Sequence, residues 1–187
     1  PLEPFQSEDS ISYLFTGIVQ DISGNQIELN YSATFVIQDY VPPQINNSTL
    51  AFDDSYWDLY FDDALFSNVN ATNPITSEDF NISIIPNDSD VDSISVTSVT
   101  KIDGNFLIGG ESILRLNLAY NSSPSGNEFV TLNLSQSAQV FDESGNQMSA
   151  NSFIAQDTLY DVLPPSITSI SSSTSIDSLL ILFKERT

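Results

Sequence analysis

One six-residue phrase occurs twice in the chain: Asp21-Ile-Ser-Gly-Asn-Gln26 returns as Asp142-Glu-Ser-Gly-Asn-Gln147, 121 positions later. A second phrase follows each copy in the same order. Gln38-Asp-Tyr-Val-Pro-Pro-Gln-Ile45 returns as Tyr160-Asp-Val-Leu-Pro-Pro-Ser-Ile167, 122 positions later, and between the landmarks Tyr31-Ser-Ala-Thr-Phe35 matches Ala150-Asn-Ser-Phe153. Paired landmarks in one order and nearly one register mark internal repetition, which restricts the fold to units that tile along a chain. The period divides the sequence into 1–38, the closing part of one unit; 39–160, a complete unit; and 161–187, the opening part of a third. Asp-x-x-Pro-Pro is the joint. Proline fixes its own φ and drives the preceding residue into extended conformation, so the pair makes a short stiff connector. The two partial pieces together lack the middle of a unit and cannot close into one domain.

Within the complete unit, apolar and polar residues alternate with the period of a half-buried strand. The series are Trp57, Leu59 and Phe61; Phe80, Ile82 and Ile84; Ile94 and Val96; Leu114, Leu116, Leu118 and Tyr120; and Val130, Leu132 and Leu134. Arg115, Asn117, Thr131 and Asn133 fall on the opposite face. Asp103-Gly-Asn105, Gly109-Gly110, Pro124-Ser-Gly-Asn127 and Ser144-Gly-Asn146 supply the positive φ or the side-chain-to-backbone bonds that turns need. The one helical signal is a single turn near Ser77-Glu-Asp-Phe80, with Ser77 as its cap. Seven or eight strands over roughly 120 residues predict a Greek-key β-sandwich.

These residues resemble the bacterial Ig-like repeats of surface-layer proteins and large cell-surface adhesins. The likeness is carried by Pro42-Pro-Gln-Ile45, Leu59-Tyr-Phe-Asp-Asp63, Glu78-Asp-Phe80, Phe129-Val-Thr-Leu132, Asp142-x-x-Gly145-Asn146 and a closing strand with Phe153. Pro1-Leu-Glu-Pro4, Ile11-Ser-Tyr13 and Asp21-x-x-Gly24-Asn25 resemble the penultimate strand and turn of such a unit, and Leu180-Ile-Leu-Phe183-Lys-Glu185 resembles its second strand. Relative to that pattern the unit carries insertions around Ser67–Ile75 and Asn87–Asp92. The resemblance implies an all-β chain of Ig-like Greek-key β-sandwich repeats in tandem, extracellular at the cell surface, whose partners are neighbouring repeats of the same or identical chains.

Composition excludes much chemistry. The chain has 25 acidic and 4 basic residues, a formal charge of -21, no histidine and no cysteine. Ser-His-Asp and Cys-His nucleophile systems, zinc fingers and disulfides are therefore impossible. Four cations cannot track a phosphate polymer, so a nucleic-acid partner is not expected. No apolar run approaches a membrane span, the longest being Leu179–Phe183, and membrane insertion is not expected either. Twelve Phe and seven Tyr nonetheless separate the chain from a disordered acidic tail. Pro1-Leu-Glu-Pro-Phe5 lacks an initiator Met and a basic leader, as expected of a trimmed or excerpted chain.

Two acidic features invite a hard cation, and no other cofactor is required. Asp88, Asp90 and Asp92 alternate through Asn-Asp-Ser-Asp-Val-Asp-Ser, a spacing that calcium loops use, although Ser93 and Val99 stand where an EF-hand has Gly and Glu. A solvated hairpin whose charges protect an edge accounts for the same run. Asp39 and Asp161 precede the joints, where Ca²⁺ would relieve repulsion among Asp21, Asp53, Asp54, Asp62, Asp63 and Asp142; a side-chain turn onto the backbone is the competing reading. Tyr56 and Tyr60 offer a sugar-stacking pair, whereas Trp57 shares the apolar phase and belongs in the core. Asp53/Asp54 and Asp62/Asp63 point to opposite faces of a strand and cannot flank one glycosidic bond, so no enzyme activity is expected. Asn-x-Ser/Thr sequons at Asn47, Asn70, Asn81 and Asn121 accept glycans in a secreting host.

Three functions follow. The first is a non-catalytic segment of an extracellular stalk, filament or coat. The second is a self-assembling subunit that forms a homopolymer by β-strand addition through its incomplete ends. The third is a carbohydrate-binding module of a secreted protein.

Overall fold

A computed structural model describes residues 9–14, 20–26, 32–87, 89–172 and 178–184. It divides into two compact units, Pro1–Pro42 and Pro43–Thr187. Pro1–Pro4, Asp88 and Glu185 lie outside the described residues.

In the first unit, β1 (Ser10–Leu14) pairs antiparallel with β2 (Ser32–Val36), Ile11 opposite Phe35 and Tyr13 opposite Ala33. Cross-strand hydroxyls of Ser12 and Thr34 lie 2.8 Å apart on the other face. Between the strands, Gln20 bridges Gln26 around the first copy of the repeated turn.

The second unit is all-β. In chain order its strands are β3 (Ile45–Leu50), β4 (Tyr56–Leu65), β5 (Phe80–Ile85), β6 (Ile94–Thr100), β7 (Glu111–Tyr120), β8 (Phe129–Leu134), β9 (Phe153–Thr158), β10 (Ser166–Ser172) and β11 (Leu179–Lys184). They form antiparallel sheets in the orders β3-β4-β7-β6 and β5-β8-β9, with β10-β11 a separate pair. Alternation does the sorting. Trp57, Leu59, Leu114 and Leu116 of the first sheet meet Val130, Leu132, Leu134, Ile154 and Ala155 of the second in one continuous core, so the two sheets close over each other as in a β-sandwich. Removing a buried Leu from such a core costs about 2–5 kcal/mol, which makes this cluster the main source of the unit's stability.

Among the described residues the one helical turn, Ser77–Asp79, is 3₁₀ and its cap is Thr76 rather than Ser77: the Asp79 carboxylate accepts the Thr76 N–H at 2.9 Å and the Thr76 hydroxyl at 3.1 Å. Phe153 is more than half exposed, because the register shift opposite Leu132 and Asn133 turns Ile154 and Ala155 inward instead.

Seven strands, β3 to β9, alternate in direction along one axis. Ile45 pairs with Phe61 and Leu65 with Glu111, which sets the start of β3 and the end of β4 at one end of the sandwich. Thr158, the last residue of β9, pairs with Phe129, and the Leu159 N–H donates to the Glu128 carbonyl at 3.0 Å at the other. The chain therefore enters the sandwich at one end and leaves it at the opposite one.

The β10-β11 hairpin repeats β3-β4 in detail. Ile45 pairs with Phe61 and then, across a bulge, Asn47 with Tyr60; Ile167 pairs with Phe183 and then, across a bulge, Ser169 with Leu182. Each residue lies 122 positions beyond its counterpart. Where β4 is largely buried and β3 is partly covered, every residue of β10 and β11 is exposed. Ile167, Ile170, Leu179, Ile181 and Phe183 share one face of that hairpin.

Candidate functional site

The repeated turn is the same object twice. Asp21 Oδ1 accepts the Asn25 N–H at 2.8 Å and Oδ2 the Asn25 amide at 2.7 Å; Asp142 makes the same two bonds to Asn146 at 2.8 and 2.7 Å. Gly24 and Gly145 both sit at φ +85°, a conformation open to glycine because it has no Cβ. The hydrogen bonds from Asn25 and Ser23 hold the Asp21 carboxyl below its usual range. Asp21 is exposed and Asp142 fully buried, so one geometry serves in two environments.

Both joint aspartates make the side-chain turn. Asp39 Oδ1 accepts the Val41 N–H, and Asp161 Oδ1 the Leu163 N–H, each at 2.9 Å. Asp39 is buried and Asp161 exposed. In the larger unit, Asp63 and Asp142 bring carboxylate oxygens within 4.8 Å of each other. Nearby, Asp62 Oδ1 accepts the Gln44 N–H at 2.7 Å and ties β4 to the residue after the joint. Asp90 and Asp92 are exposed; their loop is held through Asn121, whose Oδ1 accepts the Asp92 and Ser93 N–H groups at 3.2 and 3.0 Å. Asp88 is outside the described residues.

At the end where the chain leaves, two fully buried carboxylates stand together. Glu128 accepts the Ser125 N–H at 2.9 Å, the Ser125 hydroxyl at 2.9 Å and the Ser89 hydroxyl. Burial opposes its ionisation, but these donors outweigh that and hold it below the ordinary glutamate range. Asp54, at φ +56°, receives the Tyr160 N–H on both oxygens at 3.1 and 3.0 Å, while its carbonyl accepts the Tyr120 hydroxyl at 2.8 Å. Burial, with Glu128 adding like charge, pushes the Asp54 carboxyl up to about 6. This pair escaped the sequence reading, although Ser125-x-x-Glu128 has the spacing of a reciprocal capping motif and so carried a local signal.

Tyr56 and Tyr60 flank a different chemistry. Arg115 donates to Asp58 from Nε at 2.7 Å and from Nη2 at 2.8 Å, and its guanidinium carbon lies 3.5 Å from the centre of the Tyr56 ring. Tyr56 is thus occupied by an internal cation. Trp57 is wholly buried, as its apolar phase predicts, and its indole N–H has no partner. An apolar hollow of about 550 Å³, lined by Lys101, Ile102, Gly110, Glu111 and Ile113, opens at the β6–β7 turn with the Lys101–Glu111 ion pair at 3.2 Å beside it. Among the described residues no helix is long and apolar enough to cross a membrane. No family model matches the chain, and neither the curated proteins nor the solved structures contain a significant match.

Proposed function

We propose that the chain is a non-catalytic structural segment of tandem Ig-like repeats in an extracellular stalk, filament or coat. The observation that carries this reading is the hairpin equivalence: β10-β11 reproduces the pairing of β3-β4 down to the position of its bulge. A hairpin with that register and a five-residue apolar face is built to open another sandwich. Opposite-end connections and a Pro-Pro joint then make each added unit extend the structure, and a charge of -21 keeps such an array soluble and extended. Calcium at Asp63 and Asp142 would relieve part of that repulsion. The test is the denatured mass of the polypeptide from its native source. A mass several times 20.5 kDa supports the array, and a mass near 20.5 kDa overturns it.

A second reading rests on the exposure of the same face. If the hairpin is covered by another molecule, the chain polymerises by strand addition. Sedimentation would then show concentration-dependent association that Ile181→Asp abolishes. A monomer at all concentrations ends this reading.

A further inference from the structure

Two hairpins of the chain match two hairpins of the complete sandwich, and their counterparts come from opposite sheets of it. The β10-β11 pair answers to β3-β4, with Leu179, Ile181 and Phe183 in the places of the buried Trp57, Leu59 and Phe61. The β1-β2 pair answers to β8-β9. Ile11 opposite Phe35 and Tyr13 opposite Ala33 reproduce Val130 opposite Asp157 and Leu132 opposite Ala155, and the Ile37 N–H donates to the Asp9 carbonyl at 2.9 Å as the Leu159 N–H does to that of Glu128. Each of these β2 residues lies 122 positions before its counterpart, so the pairing sets Phe35 against Asp157 rather than Phe153. In the sandwich, Trp57, Leu59 and Phe61 share one core with Val130, Leu132 and Ala155. On the two matching hairpins the same faces are open: Ile181 is 40% exposed, Phe183 62%, Tyr13 40% and Phe35 48%.

Charge singles out the same two surfaces. In a chain of net charge -21, β1, β2 and β10 contain no Asp, Glu, Lys or Arg and β11 contains only Lys184, whereas β4 carries Asp58, Asp62 and Asp63. Leu180 and Leu182 stand where β4 has Asp58 and Tyr60. Two copies of so acidic a chain therefore meet little repulsion where these hairpins meet, and burial of the two apolar faces favours the contact. We propose that the apolar face of β10-β11 docks on the apolar face of β1-β2 of a second copy of this chain, joining copies head to tail. The chain reaches β3 from β2 at one end of the sandwich and leaves β9 for β10 at the other, so the partner of each hairpin is another molecule and the contact is heterologous. Strands β5, β6 and β7 have no counterpart in it, which makes it a packing of two hairpins rather than a complete sandwich. The inference rests on the reading of β10-β11 as half of a sandwich and names what covers it.

The experiment is sedimentation velocity on the full chain and on two variants of it, Ile11→Asp and Ile181→Asp, in about 0.5 M salt, where long-range repulsion is screened. Each variant loses one surface and keeps the other, and an unchanged unfolding curve by Trp57 fluorescence verifies that the sandwich is intact. The unaltered chain should form dimers and larger species as concentration rises. Each variant alone should stay a monomer, and an equimolar mixture of the two should form dimers and nothing larger. The mixture reads the intact hairpin of each variant, so local unfolding of the altered one does not obscure the result. An unaltered chain that is monomeric at all concentrations overturns the docking, as does a mixture that stays monomeric. Association that survives in Ile11→Asp alone overturns it too, by giving β10-β11 a partner other than β1-β2. The array reading stands apart from these outcomes and is decided by the native mass.

Discussion

Arg115→Met tests how an acidic sheet face is held. On the outer face of the four-stranded sheet, Arg115 of β7 sits opposite Asp58 of β4, with its side chain 19% exposed and that of Asp58 10%. Exposed ion pairs contribute about 0–1 kcal/mol, whereas removing one partner of a buried pair costs about 3–5. With these exposures the loss should fall between, at about 2–3 kcal/mol, of which the stacking on Tyr56 supplies about 0.5–1. Methionine keeps the aliphatic stem, so the deficit reads the lost guanidinium and the stranded carboxylate rather than a cavity. Asp58→Leu should cost less, because Arg115 retains Tyr56. The double variant should recover about 1–2 kcal/mol relative to the sum of the singles. Urea denaturation is the assay, since it leaves charge unscreened, and Trp57, buried beneath this face, reports unfolding by fluorescence. A cost below about 0.5 kcal/mol for Arg115→Met, or strict additivity, would refute the assignment.

Two turn substitutions and one ion make further tests. Asp142→Ala removes both side-chain bonds to Asn146 in a part-buried turn and should lower stability by about 1–2 kcal/mol, while Asp21→Ala, in the exposed copy, should leave the unfolding midpoint of the sandwich unmoved. Gly126→Ala and Gly104→Ala both force a side chain to positive φ, at +82° and +83°. A Cβ at Gly104 meets open space, whereas at Gly126 it would lie 3.2 Å from the backbone N and Cβ of Asp161. Denaturation should therefore show about 1 kcal/mol lost at Gly104 and clearly more at Gly126. Excess Ca²⁺ should raise the melting temperature above that in EDTA at matched ionic strength; equal values would dismiss the ion.

Period-2 alternation made β4 to β8 legible because their inward residues are large and apolar and their outward ones are not. It failed for β3, whose Ile-Asn-Asn-Ser-Thr-Leu buries only Leu50 fully and holds its place by pairing with β4. Edge strands of this kind are specified by a ladder that no single segment reveals. The repeated turn was readable because Asp, Gly and Asn each perform a distinct local task there. Asp54 and Glu128 were harder to read, since charge in a sequence predicts exposure: beyond the local Ser125-x-x-Glu128 spacing, their partners Ser89 and Tyr160 arrive from distant parts of the chain.

Strand number decides what a repeat of this kind can build. With seven alternating strands the chain leaves β9 at the end opposite to where it began β3, so in the proposed array each unit hands its successor a starting point one sandwich length further on. An even count would return the chain to its own starting end and stack units side by side, where carboxylates on adjoining faces would oppose association. The stiff joint matters for the same reason: a flexible linker of equal length would let units fold back despite their connectivity, while Pro-Pro limits the directions available. The Asp54 contact adds the step before the joint, since Tyr160 is fixed to the sandwich immediately ahead of Asp161 and the Pro164–Pro165 pair. Stiffness in such a stalk would then depend on three consecutive restraints: the hydrogen bonds from Tyr160 to Asp54, the side-chain turn at Asp161 and the proline pair.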